Sequence, residues 1–210
     1  RVAFCIQDQK LVGGDGLVHT YQPWMSCVIA AGMQSAAGYR GIVKKFANTN
    51  GVVHRVGDFN ARNRSQREDA LRSGILFMEP VNTGGFRWVS DQTTHTVDNN
   101  FVFNSLQAVY LADLMALTLI DRFDRAVVGK SIAEISAAAA LGLLESVMFD
   151  FRRLKWIAPS IDAPKGYKNA SVKINGPTMQ IGIEAKLAGL IYFVPINFDI
   201  SEISQEATGK

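Results

Sequence analysis

The 210-residue chain has room for one large domain or two small ones, and its 48% hydrophobic and 20% charged content is that of a globular protein that buries a real core. A formal net charge of +3 is too small to argue for nucleic acid or an anionic membrane as the partner. Two cysteines, Cys5 and Cys27, both in apolar segments, read as buried thiols in a reducing compartment rather than as a bridge.

The chain begins at Arg1 and enters a strand-like run, Val2 to Ile6, with no charged and apolar leader ahead of it. The expectation is an internal fragment, or a trimmed product of something longer. Residues 8–21 read as a Gly-rich loop. Pro23 then suits a first helical position, and the small and apolar residues after it form a tightly packed helix that Gly38 ends. Asn48, Asn50 and Gly51 mark a turn, and Val52-Val53 start an extended piece. Ser65-Gln66-Arg67-Glu68 fits a capping box, opening a short helix that Gly74 closes. Ile75 to Pro80 is a buried strand, Gly84-Gly85 its hairpin turn, and Phe86 to Ser90 its partner.

A polar run, residues 91–100, leads to a long helix over roughly 104–125 whose apolar residues cover most of its circumference, so it is enclosed by its own protein or by neighbours. Ser131-Ile132-Ala133-Glu134 is a second S-x-x-E box, expected to open a helix that runs to about Phe151. The apolar stretches here carry polar residues at short intervals and fall short of the ~20 needed to span a bilayer, so no membrane insertion is expected. Asn175-Gly176 separates two alternating segments as a hairpin turn, with Met179, Ile181 and Ile183 on one face. A last segment alternates through Val194, Ile196, Phe198 and Ile200, with Pro195 suited to a sheet edge, before a loose tail over 201–210. The order predicts an α+β fold: a mixed or antiparallel sheet, several helices packed on it, and a C-terminal β ribbon.

Candidate chemistry is sparse. Gly129-Lys130-Ser131 ends like a phosphate-binding loop, but the earlier glycine is replaced by Asp124, and Val127-Val128 resist the left-handed backbone such a nest uses. His95 with Asp91 and Asp98 could form a metal site, although a loop that satisfies its own backbone explains the same residues. With both set aside, no cofactor is expected. Basic residues concentrate between 40 and 72, among them Lys44, Lys45, Arg62 and Arg67. With Asp58, Glu68 and Asp69 interspersed, they read as a solvated or partner-facing surface rather than a nucleic-acid groove.

The ordered series of segments resembles the C-terminal half of contractile tail sheath proteins of tailed bacteriophages. The helix after Pro23 is similar to one in that family's core. Phe46-Ala47-Asn48 stands where Pro-Ala-Asn is usual, ahead of Gly51-Val52. Gly74-Ile75 looks like the family's helix-to-strand step, Phe86 to Thr96 like the strand and Thr-containing turn after it, and residues 99–123 like the long helix beyond. The resemblance implies one core domain over 1–210 and a structural part, not an enzyme. It also implies hexameric rings stacked helically around a tail tube and anchored at a baseplate, within a virion tail assembled in the host cytoplasm. Contraction would then drive the tube through the host envelope. Another virion subunit, of a baseplate or tail terminator, is the alternative, followed by a nucleotide- or metal-dependent enzyme. An alternating segment with an edge-type proline can pair with another chain or sit at the edge of its own sheet. Val194, Ile196, Phe198 and Ile200, with Lys44, Lys45, Arg62 and Arg67, are therefore the candidate contacts between subunits.

Overall fold

A computed structural model describes residues 3–47, 49–54, 60–98 and 101–189. Its fold is α+β, with the strands divided among small sheets. Strand β1 (Phe4–Cys5) pairs in parallel with β6 (Ile75–Leu76). Strands β3 (Val18–Tyr21), β2 (Gln7–Val12) and β5 (Gly51–His54) form an antiparallel sheet in that order, and β4 (Phe46–Ala47), β8 (Phe86–Trp88) and β7 (Met78–Pro80) form another. Residues 8–21 are thus largely a hairpin and not the expected loop. Its strand pattern is concealed because Gln7, Asp8 and Gln9 are buried whereas Val12 and Val18 are exposed, the reverse of the usual alternation.

Helix α1 (Trp24–Ala37) begins after Pro23 and ends at Gly38, whose φ of 57° few other residues adopt readily. Ser26, Ala30 and Gln34 fall on one face at i, i+4, i+8 and are buried. Gln9 Nε2 donates to Ser26 Oγ at 2.6 Å, and Ser26 Oγ donates to the Gln7 carbonyl at 2.6 Å, so α1 is joined to β2 by hydrogen bonds as well as by packing. Around this seam Cys5, Ile42, Leu76, Met78 and Trp88 form the first core. Both cysteines are free thiols.

Helix α2 (Arg64–Arg72) is capped by Asn63, whose side chain accepts from the amides of Ser65 and Gln66. The cap lies two residues ahead of the expected Ser65. After the short α3 (Phe101–Asn104), helix α4 (Leu106–Val127) starts on Ser105, which accepts from Ala108 N at 3.2 Å. The fully buried Asp91 carboxylate also accepts from Gln107 N at 3.2 Å and from Ser105 Oγ at 2.7 Å. An anion at a helix N-terminus is favourable, and here it ties the polar run to α4.

Ser131 caps only a 3-10 turn, Ile132–Glu134. Helix α5 (Ala137–Arg153) starts on Ser136, which accepts from Ala139 N at 3.1 Å. Its buried residues Ala140, Leu144, Val147, Met148 and Phe151 follow the 3.6-residue period and meet Leu111, Met115 and Phe123 of α4 in a second core. Strands β9 (Tyr167–Asn175) and β10 (Thr178–Ala185) turn at Asn175-Gly176 as expected. Their alternate residues Ala170, Val172, Met179 and Ile183 cover that core. The N-terminal end of α4 joins the two halves: Leu106 packs on the first core, while Gln107 Nε2 donates to the Tyr39 carbonyl at 2.9 Å. Among the described residues no helix is long and apolar enough to cross a membrane.

Candidate assembly surface

The hairpin β7–β8 places Glu79 directly opposite Arg87, and the side chain of Glu79 is only 9% exposed. A carboxylate that deep needs partners, and three converge on it. Arg87 Nε donates to Oε1 at 2.8 Å, Lys44 Nζ to Oε1 at 3.0 Å, and Arg67 Nη2 reaches Oε2 at 3.1 Å. The local backbone explains how they arrive. Lys44 occupies a left-handed turn (φ 60°) between Ile42 and β4, and its N–H donates to the Trp88 carbonyl at 2.9 Å. Arg67 projects from the first turns of α2. Beside them a cavity of about 340 Å³ is lined by Arg62, Arg67, Glu79, Val81, Asn82 and Arg87. Arg62 is exposed and set by a turn in which its N–H donates to Asn60 Oδ1 at 2.9 Å.

Burial pushes the Glu79 carboxyl pKa up. Hydrogen bonds from Lys44 and Arg87, with the charges of Lys44 and Arg67, outweigh burial and hold it below its ordinary value of 4.5. A carboxyl with a depressed folded-state pKa stabilises the fold above its unfolded value, and that stability is lost as pH falls through the folded pKa. Glu79→Gln is expected to cost about 2 kcal/mol at pH 7 in urea unfolding, because three cations then crowd together without their anion. The difference from wild type should close as pH drops below 4.5, where the native carboxyl also becomes neutral. Equal stabilities at pH 7 would contradict this account of the cluster.

Two of the predicted contact residues, Arg62 and Arg67, therefore line one groove, and Lys44 reaches the Glu79 carboxylate at its wall. Lys45 does not line it; burial and then the neighbouring Arg40 lower its pKa. Val194, Ile196, Phe198 and Ile200 lie outside the described residues. Glu79 and Arg87 escaped the sequence reading, although an acid within the apolar run Ile75 to Pro80 was a signal that cations must approach it. Arg64 Nε donates to Glu68 at 2.9 Å as a surface pair on α2 and contributes little.

The other candidates resolve differently. His95 Nε2 lies 3.1 Å from Asp98 Oδ1, while Asp91 is engaged at the start of α4. Among the described residues no group of three or more His, Cys, Asp or Glu side chains could hold a metal ion. At Gly129-Lys130-Ser131 the Lys130 N–H donates to the Val127 carbonyl at 3.2 Å, and the adjoining cavity is walled by Phe123, Val127, Ile135, Pro177 and Met179. Gly129, Lys130 and Ser131 line that cavity too, but so does Asp124, whose carboxylate would face a bound phosphate with like charge.

No protein-family model and no curated protein matches the chain. Solved structures do. A chain of the anti-feeding prophage baseplate, 6-fold symmetrised, superposes with a TM-score of 0.71 at 12% identity, over 96% of this chain and 55% of that one. The helical sheath of the anti-feeding prophage in its contracted state gives 0.64 at 13% identity, over 98% and 56%. A sheath tail protein from Desulfitobacterium hafniense gives 0.56 at 12% identity, over 85% and 44%. The chain has the fold of contractile tail sheath proteins, and it spans about half the length of the chains it matches.

Proposed function

We propose that the protein is a structural subunit of a contractile sheath, assembling with copies of itself into stacked hexameric rings around a tail tube that a baseplate anchors. The observation that carries this reading is the sheath fold over nearly the whole chain, matched against both a baseplate assembly and a contracted helical sheath. Exposed apolar side chains support it: Leu117 and Ile120 on α4 and Phe149 on α5 are each more than half exposed. Several such residues on one helical pair suit a surface that another chain covers. Residues 190–210 would serve as an arm, with Val194, Ile196, Phe198 and Ile200 set into a neighbour's sheet by strand addition. On this reading the subunit does mechanical work through a change of lattice, as part of a bacteriophage tail, with no catalysis and no cofactor.

Electron microscopy of the full-length protein is expected to show rings, tubes or ordered polysheaths, and removal of the chain after Gly189 to leave shorter or no polymers. Closed rings of a single size without tubes would favour a subunit confined to the baseplate, the reading that the first of these likenesses supports. A protein that stays monomeric at every salt and concentration would overturn both.

A further inference from the structure

We propose that Cys27 and Cys5 form a redox site: a peroxide oxidises the Cys27 thiol, Cys5 resolves it, and the resulting disulfide clamps β1 to α1. The two sulfurs come from elements that meet in the first core. Cys5 ends β1 and is 3% exposed, whereas Cys27, in the first turn of α1, is half-buried and packs against the same cluster. Cys27 Sγ donates to the Ala3 carbonyl at 3.7 Å. With Phe4 extended between them, that carbonyl and the Cys5 N–H face the same side, because strand orientation repeats every second residue. The Cys27 sulfur therefore lies against the backbone that carries Cys5, and the Cys5 thiol and N–H are both its hydrogen-bonding neighbours.

Two thiols in contact release one proton between them, and the charge falls on the better solvated sulfur. The hydrogen bond from the Cys5 thiol lowers the Cys27 pKa to about 7 against the opposing effect of burial, and the Cys5 N–H lowers it further. The same contact, followed by burial, raises the pKa of Cys5 and keeps it a thiol. A thiolate near neutral pH is the form that attacks peroxides, and Cys27 is the sulfur nearer to solvent. Its attack on hydrogen peroxide forms an S–O bond and breaks the O–O bond, and the hydroxide that leaves takes up a proton as water. Cys5 Sγ then attacks the Cys27 sulfur. An S–S bond replaces the S–O bond, and the departing hydroxide carries off the Cys5 proton as a second water. The thiol pair loses two electrons, and the peroxide is reduced to water. A metal explains the pair less well, because among the described residues no third His, Cys, Asp or Glu joins the two sulfurs. Strand β1 is only two residues long and pairs in parallel with β6, so the bridge makes its attachment to α1 covalent. It also closes a loop that contains the hairpin β2–β3, which restricts the unfolded chain.

Hydrogen peroxide treatment of the full-length protein, followed by peptide mapping without reducing agent, tests this. The Cys5 and Cys27 peptides are expected as one linked species lighter by two hydrogens, which dithiothreitol should separate. The oxidised protein should melt about 5–10 °C above the reduced one. Cys5→Ser should leave Cys27 as a sulfenic acid that dimedone captures, without that rise in Tm. Cys27→Ser should leave Cys5 unoxidised, since its thiol is buried and protonated. The proposal is overturned if both thiols are recovered reduced, if Cys27 runs on to sulfinic acid while Cys5 stays reduced, or if the bridges join Cys27 residues of two chains. A linked pair without any gain in Tm would overturn the clamp. None of these outcomes turns on whether the protein polymerises.

Discussion

Gln7→Leu is expected to cost about 4 kcal/mol in urea unfolding at neutral pH, because each buried polar group left unpaired costs about 1–3 kcal/mol and this change orphans two. Gln7 opens β2 and is 1% exposed. Its Nε2 donates to the Met78 carbonyl at 2.8 Å, and its Oε1 accepts from the Met78 N–H at 2.6 Å. A side-chain amide thus stands in for a neighbouring strand, completing the hydrogen bonds of β7 on the side away from β8. Leucine fills nearly the same volume and restores neither bond. Gln7→Glu is the sharper companion. Its carboxylate can still accept from the Met78 N–H but cannot donate to the carbonyl, and it adds an unpaired buried charge, so its loss should exceed that of leucine. A Gln7→Leu protein within 1 kcal/mol of wild type would show that β7 needs no partner there.

That seam also marks where legibility in the sequence stopped. The long helix, α1 after Pro23, and the hairpins at Gly84-Gly85 and Asn175-Gly176 follow from local rules: a 3.6-residue apolar period, a proline that pre-sets φ, glycines that accept positive φ. The hairpin β2–β3 does not. Its inward residues Gln7, Asp8 and Gln9 are polar, and Gln7 and Gln9 are matched by partners 71 and 17 residues away, which no pattern within the strand reveals. Helix starts were legible only to within a few residues, since Asn63 and Ser65, or Ser131 and Ser136, offer equivalent caps, and tertiary packing decides between them. The basic character of residues 40–72 was plain. The acid that gathers Lys44 and Arg67 around one carboxylate comes from a strand that reads as ordinary core. Sheath-like order across the segments was visible, whereas the groove itself depends on Glu79 and Arg87 facing each other across β7 and β8.

Gly74→Ala should be about as damaging, near 4 kcal/mol, and a second glycine separates its causes. Gly74 follows α2 with φ +67°, which costs an alanine about 1–2 kcal/mol. The added Cβ would also lie 2.2 Å from the Thr93 carbonyl oxygen and 3.0 Å from Thr96 Cγ2. Backbone must then move, and it has little freedom to do so. Thr93 is 3% exposed, its N–H donates to the Asn104 carbonyl at 2.8 Å, and its hydroxyl donates to the Phe103 carbonyl. Forcing Thr93 aside would disturb the segment that carries Asp91 and Ser105, and with it the start of α4, adding a further 1–3 kcal/mol of overpacking strain. Gly84 has φ +95° with nothing within 4 Å of its would-be Cβ, so Gly84→Ala carries the backbone cost alone. For a chain of this size each kcal/mol is worth roughly 2–4 °C in Tm. The Gly74 variant should therefore melt well below the Gly84 variant. Equal losses in the two proteins would mean that Thr93 yields freely, and that the junction between α2 and the base of α4 is not the rigid joint its hydrogen bonds describe.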